Sequence, residues 1–191
     1  MSFEIPAAQA DLAPPLQMAQ WFNTGGQPIA LPQLRGRVVA LHAFQMLCPG
    51  CVAHGLPQTA RLHELFPPEQ LAVIGLHSVF EHHEVMGNAA ALQAFIDEYR
   101  LGFAIGLDRP DPRGGPVPLT MQALGLCGTP SLILLDKRGR IRRHQFGRVD
   151  DLRLGALIGR LLAEPDEDAA AAPLCDDQGC RLPESAAQHS R

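Results

Sequence analysis

Cys48-Pro49-Gly50-Cys51 places two sulfurs three residues apart in a chain of 191 residues. Upstream lies the apolar run Val38-Val39-Ala40-Leu41, bounded by Arg35-Gly36-Arg37. Downstream, Val52, Leu56, Leu62, Leu65 and Phe66 recur at roughly helical spacing. The pair therefore stands where a strand hands over to a helix. Free N–H groups and the positive dipole end of a first helical turn favour a thiolate over a thiol. A second cysteine three residues on can form or release a disulfide with the first. Four residues thus supply a nucleophile and a resolving partner. Zinc is the competing use of C-x-x-C, but it needs two further ligands and the chain has no second C-x-x-C. Redox chemistry is the preferred reading.

Other residues bear on the same chemistry. Gly128-Thr129-Pro130 directly precedes the apolar run Ser131–Asp136, and an X-Pro bond before a strand is a candidate cis peptide. Cys127, three residues before Pro130, is either a third redox thiol or a small buried apolar residue; packing is the commoner use. His54, three residues after Cys51, could stabilise a thiolate, although a surface histidine is the simpler expectation. His77, His82, His83 and Glu84 invite comparison with a metal cluster, but read better as a polar loop, and no metal is expected. Cys175-x4-Cys180 lacks histidines at ligand spacing. It is either a second redox pair able to visit Cys48 and Cys51, or an exposed pair that oxidises adventitiously.

The elements that must hold these residues alternate in type, as in an α/β domain. Leu71–Leu76 reads as a second buried strand. Leu92, Phe95, Ile96 and Tyr99 give the clearest helical spacing. Phe103–Ile105 is a short strand, a Pro- and Gly-rich loop follows, and a short helix is expected over 119–124. Ser131–Asp136 and Ile141–Phe146 flank a turn at 137–140 and form a hairpin. Leu154, Leu157, Ile158, Leu161 and Leu162 mark a final helix. Pro57 should kink the helix after the cysteine pair. Residues 1–19, with Pro6, Pro14 and Pro15, read as a loose N-terminal arm, 20–163 as the domain, and 164–191 as a disordered acidic, Ala-rich tail.

Composition narrows the classes further. Sixteen Lys and Arg against 20 Asp and Glu leave a net charge of −4 and a pI near 6.0. That argues against a nucleic-acid binder driven by phosphate neutralisation. The basic residues of 137–148 are flanked by Asp136, Asp150 and Asp151, as in a solvated hairpin. No apolar run approaches the ~18–20 residues of a membrane span, and the N-terminus lacks the basic and apolar regions of a secretory signal. A cytoplasmic protein is expected. Five cysteines cannot all pair within one chain.

The order strand, C-x-x-C, helix, then Thr-Pro-strand about 80 residues later resembles the thioredoxin superfamily. LRGRVVALHAFQMLCPGC is similar to the segment that opens the thioredoxin-like reductases of cytochrome maturation and their redoxin relatives. ALGLCGTPSLILLDKRGRIRRHQFG resembles their cis-proline loop and terminal hairpin. The helical insertion near 88–100, followed by FAIGLD, fits the same branch (AhpC/TSA-like and TlpA-like), and the resemblance spans about residues 20–163. It implies a thioredoxin-like α/β fold: a central mixed sheet, helices on both faces, and a cis-proline loop before a terminal β-hairpin. It also implies that Cys48 attacks, that Cys51 is the buried resolving cysteine and that Pro130 faces the disulfide. Thr129, next to Gly128, would pair its backbone with a substrate strand. Phe44 and Leu47 would flank the substrate, with Leu47 where relatives carry tryptophan. The proline of the active-site helix is shifted to Pro57. Glu81 falls roughly where relatives keep an acid beneath the disulfide.

The implied activity is thiol–disulfide exchange without a cofactor. Its expected partners are protein or small-molecule disulfides and a thiol donor such as a thioredoxin or glutathione system, with no nucleic acid and no membrane. Two alternatives stand beside it. The peroxiredoxin pattern P-x-x-x-T-x-x-C would put the peroxide-reducing cysteine at Cys51, but Cys48 holds the threonine place and the proline place holds another residue, with Phe44 and Leu47 nearest. A non-enzymatic redox sensor would react once per oxidant without turnover.

Overall fold

A computed structural model describes residues 4–165, together with the strand backbone of Leu174–Asp176 and Gly179–Arg181. Six strands form one sheet: β1 (Met18–Phe22), β2 (Val38–Phe44), β3 (Leu71–His77), β4 (Ala104–Asp108), β5 (Ser131–Leu135) and β6 (Ile141–Phe146). Their spatial order is β1-β4-β3-β2-β5-β6. β2, β3 and β4 run parallel, whereas β1, β5 and β6 pair antiparallel with their neighbours. The sheet is mixed, as expected.

The centre of the sheet follows from composition. Every residue of β2 is buried, and nearly every residue of β3, because helices cover both faces. Alternation divides β2 between two cores. Val38, Ala40 and Phe44 pack with α1 (Leu56–Leu65), α3 (Ala89–Glu98) and α5 (Asp151–Ala163). Val39, Leu41 and Ala43 pack on the other side with Met121 and Leu124 around α4 (Leu119–Ala123). His42 thus belongs, by its place in the alternation, to the face that carries α1 and α5.

Local chemistry sets the ends. Asn88 accepts hydrogen bonds from the N–H groups of Ala90 and Ala91 at the start of α3, behind a short helix α2 (His83–Met86). Asp150 does the same for Arg153 in α5. The kink expected at Pro57 takes the form of a π-helical turn, Cys51–Gly55, running directly into α1. In it the Leu56 N–H reaches back to the Cys51 carbonyl. Widening the turn accommodates a proline ring that would otherwise press on the carbonyl four residues earlier.

The N-terminal segment read as a loose arm lies along the terminal hairpin. Ile5 N–H donates to the Arg142 carbonyl at 2.7 Å, Ile141 N–H to Asp11 at 2.8 Å, and Ala13 N–H to Gly139 at 3.0 Å. These bonds occupy the open edge of β6, which would otherwise stand unpaired. β1 begins inside the same segment, at Met18. At the other end Glu164 belongs to the folded body: its carboxylate meets Arg142 at 2.6 and 2.8 Å. Of the expected disordered tail, β7 (Leu174–Asp176) and β8 (Gly179–Arg181) pair antiparallel with Cys175 opposite Cys180, and the remainder lies outside the described residues. Among the described residues no helix is long and apolar enough to cross a membrane.

Candidate active site

The parallel register of β2 ends at Phe44, and the chain turns at Met46 and Leu47 into the first helical turn. This delivers Cys48 half-buried at the rim and Cys51 fully buried behind it. The Cys51 N–H donates to Cys48 Sγ at 3.2 Å. That contact puts a helix-start donor on the outer sulfur, as the strand-to-helix placement predicts. From the opposite side the Thr129 carbonyl stands 3.6 Å from Cys48 Sγ. Burial pushes the Cys51 thiol up to about 12, and its hydrogen bond to Cys48 adds to the rise. Two chemically alike residues are thus made unlike, one accessible and one withheld as a thiol.

The Thr129–Pro130 peptide is cis. The Pro130 ring lies along the cysteine-bearing turn: a Cβ at Gly50 would meet its Cδ at 3.4 Å, and one at Gly55 its Cβ at 3.3 Å. Beside it Ser131 Oγ donates to the Gly128 carbonyl at 2.7 Å, fixing the loop. Leu47 and Phe146 flank the site as exposed apolar side chains, 58% and 60% accessible. The Phe146 ring lies over Gly128, where a Cβ would come within 2.9 Å of ring Cε2. Phe146 was not anticipated from sequence, because a hairpin residue carries no local mark of lying near a distant loop.

Several expected site residues are placed differently. Phe44 does not face substrate; it is fully buried, stacked 5.2 Å from the His77 ring and 6.3 Å from Phe95. Strand alternation sends it into the core. Glu81 is exposed in the loop after β3 rather than buried beneath the disulfide. Cys127 is exposed, against the packing reading, with its sulfur 4.0 Å from the Gly125 carbonyl. His54 is exposed on the π-turn. His77 is withdrawn from His82 and His83 into the core, where its ring nitrogens lie 3.3 and 3.0 Å from the carbonyls of Phe44 and Met86. Among the described residues no group of three His, Cys, Asp or Glu side chains could hold a metal.

His42 is the residue that the sequence reading passed over. A polar residue interrupts the apolar run Val38–Leu41 at this point, but β2 continues to Phe44. The His42 imidazole is buried against Gly55, where a Cβ would lie 2.4 Å from Cε1 and 2.5 Å from Nε2. Burial brings its pKa down to about 4. Among the described residues Nε2 has no hydrogen-bond partner; the buried Gln45 amide, directly after β2, has none on either of its atoms.

A strand–C-x-x-C–helix unit facing a Thr-Pro loop on a mixed sheet defines a thioredoxin-like dithiol protein. Comparison with solved structures agrees. The thioredoxin-like superfamily protein SPOA0173 superposes with a TM-score of 0.77 at 50% identity, over 81% of this chain and 97% of that one. A thiol-disulfide isomerase from Corynebacterium glutamicum does so with a TM-score of 0.77 at 47% identity, over 83% and 99%. StoA from Bacillus subtilis shares the fold at 22% identity, with a TM-score of 0.57 over 80% and 98%. No protein-family model and no curated protein sequence matches the chain. The chain belongs to the thioredoxin-like superfamily.

Proposed function

We propose that the protein is a thiol–disulfide oxidoreductase in which Cys48 attacks and Cys51 resolves. The observation that carries this reading is the asymmetry of the pair: the Cys51 N–H rests on a half-buried Cys48 sulfur, while the Cys51 thiol is fully buried. The similarity to a thiol-disulfide isomerase across nearly the whole of that chain supports it. In the reducing direction, Cys48 thiolate attacks one sulfur of a substrate disulfide. A mixed disulfide forms and the first substrate sulfur leaves as thiolate. Cys51 then attacks Cys48 Sγ, the second substrate sulfur leaves with its electron pair, and Cys48–Cys51 is left oxidised by two electrons. An external dithiol or glutathione restores the reduced pair. Protein disulfides are the proposed substrates, seated beside Thr129 between Leu47 and Phe146, and the proposed compartment is the cytoplasm.

A peroxidase centred on Cys51 is disfavoured by the same geometry, since a buried thiol held near 12 offers little thiolate to a peroxide. The deciding experiment measures steady-state reduction of insulin and of hydrogen peroxide with one thiol donor. Insulin reduction is expected to dominate, Cys48→Ser to abolish it, and Cys51→Ser to accumulate the mixed disulfide. Full insulin reduction by Cys48→Ser, or turnover confined to peroxide, overturns the assignment. No turnover with either substrate would leave a one-reaction sensor.

A further inference from the structure

The cysteine pair beyond α5 has a backbone register of its own. β7 and β8 form a separate two-stranded sheet in which Leu174 pairs with Arg181, Cys175 with Cys180 and Asp176 with Gly179. Directly opposed residues of an antiparallel pair have Cα atoms about 4.5–5.5 Å apart. A disulfide joins residues whose Cα atoms stand roughly 4.4–6.8 Å apart. The register, and not only the sequence spacing, therefore puts the two cysteines at disulfide range. Two residues separate the strands in sequence, the commonest hairpin length. Three residue pairs alone make a marginal hairpin; a bond across the middle pair would secure it.

The folded body fixes where the segment leading to this hairpin starts. Glu164 is held by Arg142 at 2.6 and 2.8 Å, and its carbonyl accepts from Lys137 Nζ at 2.8 Å. Arg142 and Phe146 both lie on β6, four residues apart, a distance of about 13 Å along the strand. The Phe146 ring lies over Gly128, and the carbonyl of Thr129, next in the chain, stands 3.6 Å from Cys48 Sγ. The way from the anchor to Cys48 is thus one strand and one loop. Cys175 lies ten residues beyond Pro165, a reach of at most about 33–36 Å. That tether spans the way, and its shortness keeps the pair concentrated around the site. Because Cys51 is closed to solvent, an incoming thiol must enter at Cys48.

We propose that Cys175 and Cys180 form a cross-strand disulfide that relays electrons from an external protein dithiol to Cys48–Cys51. The inference rests on the dithiol reading above and names the route by which that pair is restored. The external dithiol reduces Cys175–Cys180 and is itself oxidised by two electrons. Cys175, five residues nearer the anchor than Cys180, then attacks Cys48 Sγ as a thiolate, its proton having gone to solvent. The Cys48–Cys51 bond breaks, and Cys51 leaves with the electron pair and takes up a proton. Cys180 loses its proton to solvent and attacks Cys175 Sγ. The Cys175–Cys48 bond breaks, and Cys48 leaves as the thiolate on which the Cys51 N–H rests. One disulfide is reduced by two electrons and the other is re-formed.

The test follows both pairs in one molecule. Full-length protein carrying Cys127→Ser is oxidised, and peptide mapping is expected to find Cys48–Cys51 and Cys175–Cys180. It is then mixed with one equivalent of reduced thioredoxin and quenched with N-ethylmaleimide at intervals. Label should appear first at Cys175 and Cys180 and later at Cys48 and Cys51. The rate constant of the later step should not change on tenfold dilution, since the transfer is intramolecular. With Cys175→Ser and Cys180→Ser added, thioredoxin should reduce Cys48–Cys51 several-fold more slowly. A missing Cys175–Cys180 bond overturns the relay, as does label that stays on the hairpin or arrives first at Cys48. So does a later step that slows on dilution, or an undiminished rate in the variant. Failure of Cys48–Cys51 to form on oxidation would instead overturn the dithiol reading.

Discussion

The His42 imidazole occupies the position of the missing side chain at Gly55, with Nε2 2.5 Å from where a Cβ would stand. Alanine normally stabilises a helix interior relative to glycine by roughly 0.5–1 kcal/mol. Here the contact falls on a ring itself buried between Phe44 and the π-turn, with little room to retreat. Overpacking of a buried site costs about 1–3 kcal/mol and outweighs the helix gain. Gly55→Ala should therefore lower stability by about 1–2 kcal/mol, whereas Gly159→Ala, with nothing near its added methyl, should be neutral or stabilising. Urea unfolding of both variants checks the contrast. A stabilised Gly55→Ala would mean that the ring moves freely.

Native alkylation should distinguish the cysteines sharply. Cys48 is half-buried and Cys127 exposed, whereas Cys51 is closed to solvent with its thiol pushed up to about 12. Reduced protein treated with iodoacetamide at pH 7.5 should be modified at Cys48 and Cys127 within minutes. Cys51 should react at least about a hundredfold more slowly, because both its thiolate fraction and its access are small. Peptide mapping by mass spectrometry gives the answer. Equal labelling of Cys48 and Cys51 would remove the asymmetry on which the catalytic order depends.

Much of this arrangement was legible in residue order, because local signals sufficed. The buried runs at 38–41 and 71–76, the hairpin around 137–140 and the helix at Leu92–Tyr99 each announce themselves by period or turn chemistry. So does the cysteine pair. The remainder depends on long-range placement. β1 buries only Met18 and Phe22 within an exposed edge, so it carries no apolar run, and the arm before it is held by backbone bonds to β6 that no side-chain pattern encodes. His42 is hidden because it interrupts the apolar run after Leu41, although Ala43 and Phe44 resume it. Carrying the alternation on to Phe44 places the imidazole on the same face as Ala40 and Phe44, beneath the helix. Glu81, by contrast, was positioned by resemblance, and loop geometry after β3 leaves it in solvent.

Acid should weaken the fold in a defined window. His42 titrates near pH 4 in the folded protein and near 6.5 in the unfolded chain. Between these values the unfolded chain binds more protons, so stability rises with pH there and falls on acidification. The loss begins below about pH 6.5, is complete near pH 4, and amounts to about 3 kcal/mol from this residue. The pKa values of His77 and His144 are also lowered by burial and act in the same direction. Unfolding free energies measured from pH 7 to 4 should show this slope, and His42→Gln should flatten it. Stability that is constant across the window would contradict a neutral buried imidazole.

The C-terminal boundary and the tail cysteines can be tested with two truncations. Arg142 is buried and held by Glu4, Asp136 and Glu164, the last through both terminal guanidinium nitrogens. Ending the chain after Ala163 removes the Glu164 carboxylate and the carbonyl that accepts from Lys137 Nζ at 2.8 Å. The remaining acids hold only part of the cation's hydrogen-bonding capacity, so a loss of about 1–3 kcal/mol is expected. Ending it after Pro165 spares these contacts and should leave stability unchanged. That second truncation isolates the proposed relay between the tail pair and the active site. Cys175 lies ten residues beyond Pro165, a span of at most about 33–36 Å when extended, and tethering raises the local concentration of its thiol. If Cys175 and Cys180 pass electrons to oxidised Cys48–Cys51, the protein ending at Pro165 should be recycled several-fold more slowly by a protein reductant, with its rate toward dithiothreitol unchanged. Equal recycling of the two proteins by the protein reductant would assign no part in electron delivery to the tail.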